Sequence, residues 1–215
     1  MNFLPNIFIS ANLSLNIEQI TVGSGMGKTP LLLQAASDGI LEVYKSIVEK
    51  VDEKNPSDEY GCTPFHSAAR HGHFEVCKVI IDYLDNKNPS DVNDVTPLHI
   101  AAQRGFLEIC SLIIDHTQVV NVVDYKGRTP FHLAARYGHF DLCKLMIAYL
   151  DNKNPSSIEK VTPLHDAAEM GHLKICRLII DHTHEINVVD YRGQTPKALA
   201  QRNHHFEVAK LFDNQ

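Results

Sequence analysis

The chain is short of the features that would place it with nucleic-acid-binding or membrane proteins. Lys and Arg number 20 against 26 Asp and Glu, a formal net charge of −6, so it lacks the basic excess from which nucleic-acid affinity is drawn. No run approaches the roughly eighteen consecutive apolar residues that a membrane helix needs. No Lys or Arg precedes Lys28, and Pro5, Asn6, Ser10 and Asn12 break up the apolar N-terminus, which makes a poor signal peptide. These absences point to a cytoplasmic or nuclear protein with no nucleic-acid and no membrane partner. With 44% hydrophobic and 21% charged residues over 215 positions, the chain has enough apolar material for a sizeable core.

Chemistry-bearing motifs are equally scarce. Residues 22–29, VGSGMGKT, resemble a phosphate-binding loop, but that fingerprint needs Gly, four residues, then Gly-Lys-Ser/Thr. Counting back from Gly27, Val22 stands where the first glycine belongs, and Gly23 is one residue too close. No nucleophile elbow or supported acid–base pair is present, and no histidine pairs with a cysteine at zinc-ligand spacing. The chain reads as a non-enzyme without cofactor or metal, with nucleotide binding through residues 22–29 as a remote alternative.

What the chain does have is a repeat. Thr-Pro recurs at Thr29-Pro30, Thr63-Pro64, Thr96-Pro97, Thr129-Pro130, Thr162-Pro163 and Thr195-Pro196; the first interval is 34 residues and the others are 33. The copies stay in phase: TPFHSAARHGHFEVCKVII from Thr63 matches TPLHIAAQRGFLEICSLII from Thr96, TPFHLAARYGHFDLCKLMI from Thr129 and TPLHDAAEMGHLKICRLII from Thr162. Thr is suited to the N-cap and Pro to the first helical position, where its missing N–H costs nothing. Phe65, Ala68 and Ala69 give a short helix a small apolar face, and Gly72 ends it in the left-handed conformation common after helices. Phe74, Val76, Cys77, Ile80 and Ile81 then form the buried stripe of a second helix.

This thirty-three-residue period, with its Thr-Pro-Leu-His and Ala-Ala…Gly-His steps, resembles the ankyrin repeat family. The resemblance covers about residues 25–215 and implies an all-α repeat solenoid: an ankyrin-type stack of helix-turn-helix units with β-turn fingers. Repeats are expected at about 25–57, 58–90, 91–123, 124–156, 157–189 and 190–215, after a poorly ordered leader over 1–24. Gly27 then aligns with the turn glycines Gly61, Gly127 and Gly193, so the glycines of the opening motif serve a finger. Asp94 and Lys160 replace that glycine in repeats three and five, where a different turn is expected. His204 stands at a helix-ending glycine position, and the last repeat is either a minimal cap or part of a longer array. YLDNKNPS (83–90 and 149–156) and NVVDY (121–125 and 187–191) each return after 66 residues, as if a pair of repeats had been duplicated.

Cys77, Cys110, Cys143 and Cys176 recur every 33 residues on the apolar side of the second helix. Helices packed about 8–10 Å apart hold equivalent cysteines beyond disulfide reach, so these are reduced core residues, leaving Cys62 in a finger as the one candidate reactive thiol. His66, His99, His132 and His165 fall three residues after Thr, and the resemblance makes them hydrogen-bonded structural groups. His73, His139 and His172 recur at the start of the second helix.

The resemblance further implies protein binding by the fingers and inner helices of a monomer acting as an adaptor or scaffold. Its variable contact positions fall here on Tyr60, Arg70, His71, Arg104, Tyr125, Lys126, Arg128, Arg136, Tyr137, Tyr191 and Arg192. Tyr and Arg dominate interface hot spots. Because Arg70, Arg104, Lys126, Arg128, Arg136 and Arg192 outnumber Glu59, Glu159 and Glu169 on this face, it should be locally basic and suit a partner segment with acidic and apolar residues.

Overall fold

The computed structural model describes residues 28–213, with side chains from Pro30 onward. The chain divides into two compact units, residues 1–85 and 86–215. The first holds α1 (Lys28–Asp38), α2 (Leu41–Val48), α3 (Pro64–His71) and α4 (Phe74–Tyr83); the second holds α5 (Pro97–Arg104), α6 (Leu107–Thr117), α7 (Pro130–Arg136), α8 (Phe140–Tyr149), α9 (Pro163–Glu169), α10 (Leu173–Ile180), α11 (Pro196–Arg202) and α12 (Phe206–Lys210). The fold class is the expected all-α repeat solenoid. Among the described residues the helices form six pairs, each an inner helix followed by an outer one. In the second unit the inner helices α5, α7, α9 and α11 pack in succession, as do the outer helices α6, α8, α10 and α12.

The local signals account for the elements. Thr63, Thr96, Thr129, Thr162 and Thr195 take extended N-cap conformations with proline next in the helix. At the first repeat α1 begins at Lys28, one residue ahead of the expected cap at Thr29. Phe65, Phe131, the paired alanines of the inner helices and Cys77, Cys110, Cys143 and Cys176 have no exposed surface. Those cysteines are free, and burial raises every one of the four thiols, Cys77 and Cys176 to about 12.

Histidine joins one repeat to the next. In each of Thr96, Thr129 and Thr162 the backbone N–H donates to Nδ1 of the histidine three residues on, at 3.0–3.2 Å. Nδ1 therefore carries a lone pair and the ring proton sits on Nε2. Nε2 of His99, His132 and His165 donates to the carbonyls of Arg128, Val161 and Gln194, each 29 residues ahead in the following finger, at 3.0, 3.0 and 3.1 Å. A second series reaches backward. Nε2 of His73, His139 and His172 lies 2.9–3.0 Å from the carbonyls of Ser37, Gln103 and Arg136 at the end of the preceding inner helix.

That second contact explains the glycine before each outer helix more fully than chain reversal does. Gly138 and Gly171 have φ of +81° and +77°, and a Cβ at either would lie 2.6 Å from the ring of His172 or His205. His205 thus packs on Gly171 as His172 packs on Gly138, and His204 takes the left-handed φ of +62° in place of the usual glycine.

The two linker types close the helices in different ways. In the Lys-Asn-Pro linkers, Lys54 Nζ donates to the carbonyls of Val48 and Val51, and Lys153 Nζ to those of Ile147 and Leu150, closing the preceding outer helix. The linker asparagine turns to the following inner helix: Asn55 Oδ1 accepts the N–H of Phe65 at 3.4 Å, and Asn88 and Asn154 Oδ1 accept those of Leu98 and Leu164 at 3.1 Å. The alternate linkers bury Val120 and Ile186 instead.

Gly138→Ala and Gly193→Ala separate the two demands on glycine. Gly193 has φ +72° and nothing within 4 Å of its would-be Cβ. Alanine there should cost about 1 kcal/mol of backbone strain, whereas Gly138→Ala adds the collision with His172 and should cost about 2–4 kcal/mol. Urea unfolding of the two variants checks this, and equal losses would contradict the packing role.

Candidate functional site

The fingers arise from short-range hydrogen bonding. Asp124 Oδ1 accepts the N–H groups of Lys126 and Arg128 at 2.9 Å, and Asp190 Oδ1 those of Arg192 and Gln194 at 2.8 Å, the local bonding that makes Asp a turn residue. The fingers of repeats three and five keep this turn instead of changing it. Asp94 and Lys160 adopt φ of +56° and +55°, while Asp91 Oδ1 and Ser157 Oγ hold the residue four places on. In the second unit, neighbouring fingers are tied by one backbone bond each: Tyr125 N–H to Asn93 O, Ile158 N–H to Lys126 O and Tyr191 N–H to Glu159 O, all 3.0 Å.

This ribbon and the ends of the inner helices carry the large exposed side chains. Tyr125 and Tyr191 are each 53% exposed, Tyr137 is 50%, Ile158 is 73% and Met170 is 46%. Beside Tyr191 lies a concavity of about 350 Å³ lined mainly by polar residues of fingers four to six and helices α7, α9 and α11, among them Lys126, Arg128, Arg136, Glu159, Asp166 and Arg202. Lys126 Nζ sits 5.4 Å from the centroid of the Tyr125 ring, and the Arg192 guanidinium 4.9 Å from that of Tyr191. Gln103 Nε2 donates to the Tyr137 hydroxyl at 3.1 Å. Arg104 is exposed at the end of α5. In the first unit, Tyr60 is exposed on its finger and Arg70 and His71 at the end of α3, where His71 stacks on His73 with centroids 6.0 Å apart.

Two of the expected contact arginines are held by their own chain. Arg128 donates through Nε to Asp124 Oδ2 at 2.9 Å, with a second guanidinium nitrogen at 2.7 Å. Burial alone would raise the Asp124 carboxyl, but the hydrogen bonds and charge of Arg128 override it, and the group lies below the usual carboxylate range. Arg136 bridges Asp166 Oδ1 at 3.0 Å and Glu169 Oε2 at 2.9 Å, and Glu169 also meets Arg202 at 3.3 Å. Desolvation pushes Asp166 up to about 6, with Arg136 offsetting part of the cost. Counting these carboxylates reduces the expected basic surplus in the second unit: Arg104, Lys126, Arg128, Arg136 and Arg192 face Asp124 and Asp166 as well as Glu159 and Glu169. Asp124 and Asp166 lie outside the contact pattern, and their neutralising effect was not apparent from it. One signal did exist: Asp166 occupies the place of Ile100 and Leu133 in the preceding repeats, an apolar position where a carboxylate calls for a nearby cation.

Cys62 is half-buried. Among the described residues no group of three or more His, Cys, Asp or Glu could hold a metal ion, and no helix is long and apolar enough to cross a membrane. Residues 22–27 of the phosphate-loop alternative, and the leader over 1–24, lie outside the described residues.

The model of the family described as ankyrin repeats (3 copies) matches residues 7–93, 84–156 and 149–214. The chain belongs to the ankyrin repeat family. Ankyrin repeats are in general protein–protein interaction modules and not catalysts. No curated protein matches this chain significantly.

The Arg136 cluster gives a direct test of what stabilises the floor of the concavity. Arg136→Ala leaves Asp166 buried and unpaired; with the arginine side chain 39% exposed, the loss should be about 2 kcal/mol, below that of a fully buried pair. Adding Asp166→Leu, the residue type at Leu133, should recover most of it in urea unfolding. A double variant no more stable than Arg136→Ala would contradict the pairing.

Proposed function

We propose that the chain is an adaptor-type interaction module that binds a protein partner along fingers four to six and the ends of α7 and α9. The observation that carries this reading is the set of five large side chains, Tyr125, Tyr137, Ile158, Met170 and Tyr191, exposed on fingers four to six and at the ends of α7 and α9, with Tyr191 lining the concavity. Tyrosines supply large contact area at low entropic cost, and their hydroxyls keep the face soluble when it is empty. The ion pairs beneath them hold the floor in one arrangement, so that little ordering is left for the moment of binding. With Arg128 and Arg136 occupied, the partner segment is recognised first through apolar contact and only then through the charges that remain.

Affinity capture from the source cell tests the face. Tyr125→Ala, Tyr137→Ala and Tyr191→Ala combined should remove the partner that wild type retains, each truncation weakening binding by about 2 kcal/mol. Tyr149→Ala on the outer helix α8, 41% exposed, should retain it. The same captured set from wild type and the triple variant would show that the face is wrong.

A further inference from the structure

Tyr125, Ile158 and Tyr191 are each followed by a charged residue, in the order Lys126, Glu159, Arg192. The bonds from Ile158 N–H to Lys126 O and from Tyr191 N–H to Glu159 O place these three at the same step of successive fingers. All three are exposed. Among the described residues none of the three takes part in an ion pair, whereas Arg128, Arg136, Arg202, Asp124, Asp166 and Glu169 all do. Lys126 and Arg192 are each laid against the ring of the preceding tyrosine, which fixes where the two positive charges stand. At this step of the ribbon the free charge therefore alternates: positive, negative, positive, with neutral Asn93 at the corresponding step of the finger before; the exposed Asp94 and Lys160 stand one residue further on in their fingers.

The spacing of this row can be matched to a partner. Neighbouring extended segments lie about 4.8 Å apart and each finger contributes two, so equivalent residues of successive fingers are roughly 10 Å apart. An extended chain advances about 3.3 Å per residue, so one finger corresponds to about three residues of a segment laid across the ribbon. We propose that the row selects an extended protein segment carrying an acidic, a basic and an acidic residue at intervals of about three, with apolar side chains between them resting on Tyr125, Ile158 and Tyr191. The complement reads the same from either end, so both chain directions satisfy it. The inference rests on the contact face proposed above and adds the chemistry of its occupant.

Selection of displayed random peptides on the full chain tests the pattern with three baits: wild type, the charge-reversed variant Lys126→Glu/Glu159→Lys/Arg192→Glu, and the triple tyrosine variant. Exposed charge pairs are individually weak, so three of them should enrich the acidic–basic–acidic spacing about fivefold or more on wild type. The enrichment should fade in high salt. The charge-reversed bait should enrich basic–acidic–basic instead. All the altered side chains are exposed, so matching thermal unfolding of the three baits verifies that each is folded. The absence of either enrichment, or the same pattern on wild type and the charge-reversed bait, overturns the charge row. If the tyrosine variant nonetheless loses the wild-type peptides, the face survives that failure; if it selects the same peptides as wild type, both proposals fall.

Discussion

A neutral imidazole, buried between its own threonine cap and the carbonyl of the next finger, is the contact on which the stack depends. Each helix pair buries too little surface to be stable alone and needs its neighbours. His99, His132 and His165 turn that need into fixed geometry. One ring nitrogen ends the N-terminal hydrogen-bonding debt of an inner helix, and the other positions a finger about thirty residues further on. The tautomer is set by the threonine N–H. Backward bonds from His139 and His172, seated over glycines that leave room for their rings, hold the opposite end of the same helices. Apolar burial supplies most of the stabilisation, and the imidazoles supply the register.

Register is what aligns the fingers. Because fingers four to six are each anchored through the carbonyl of the fifth residue, the residues at their tips fall on one line in the second unit. Tyr125, Ile158 and Tyr191 therefore make a row, as do Lys126, Glu159 and Arg192. The ion pairs divide the arginines into two groups. Arg128, Arg136 and Arg202 are paired with carboxylates of the same chain, and Lys126 and Arg192 lie on the tyrosines.

Most of the fold was legible in the residues because its signals are local and repeated. Thr-Pro caps, the paired alanines, the positive-φ glycines and the cysteine positions all recur at one period, and each has a meaning within a single repeat. The interactions that were not legible are those whose second partner leaves no trace in the side-chain sequence. The acceptors for His99, His132 and His165 are backbone carbonyls, which every residue has. The turns at Asp94 and Lys160 persist because bonding to Asp91 and Ser157 outweighs the modest strain of a left-handed non-glycine residue. The extent to which the candidate face is neutralised was not legible for a different reason. Arg136 and Asp166 stand 30 residues apart, and counting cations at contact positions left out anions at positions assumed to be apolar.

Burial holds all three bridging histidines below the ordinary value, His132 at about 4. Between that value and about 6.5 the unfolded chain binds protons that the folded one refuses, so these groups lose stability for the stack as pH falls through that window. Asp166, raised to about 6, works in the opposite direction and offsets part of the loss. The most direct measurement is nitrogen NMR of the histidine rings across this range. The account predicts that His132 stays neutral with the proton on Nε2 at pH 5, and that His99 and His165 carry the same tautomer and titrate below the ordinary histidine value. Titration of these three rings near the ordinary histidine value, or a proton on Nδ1, would contradict it.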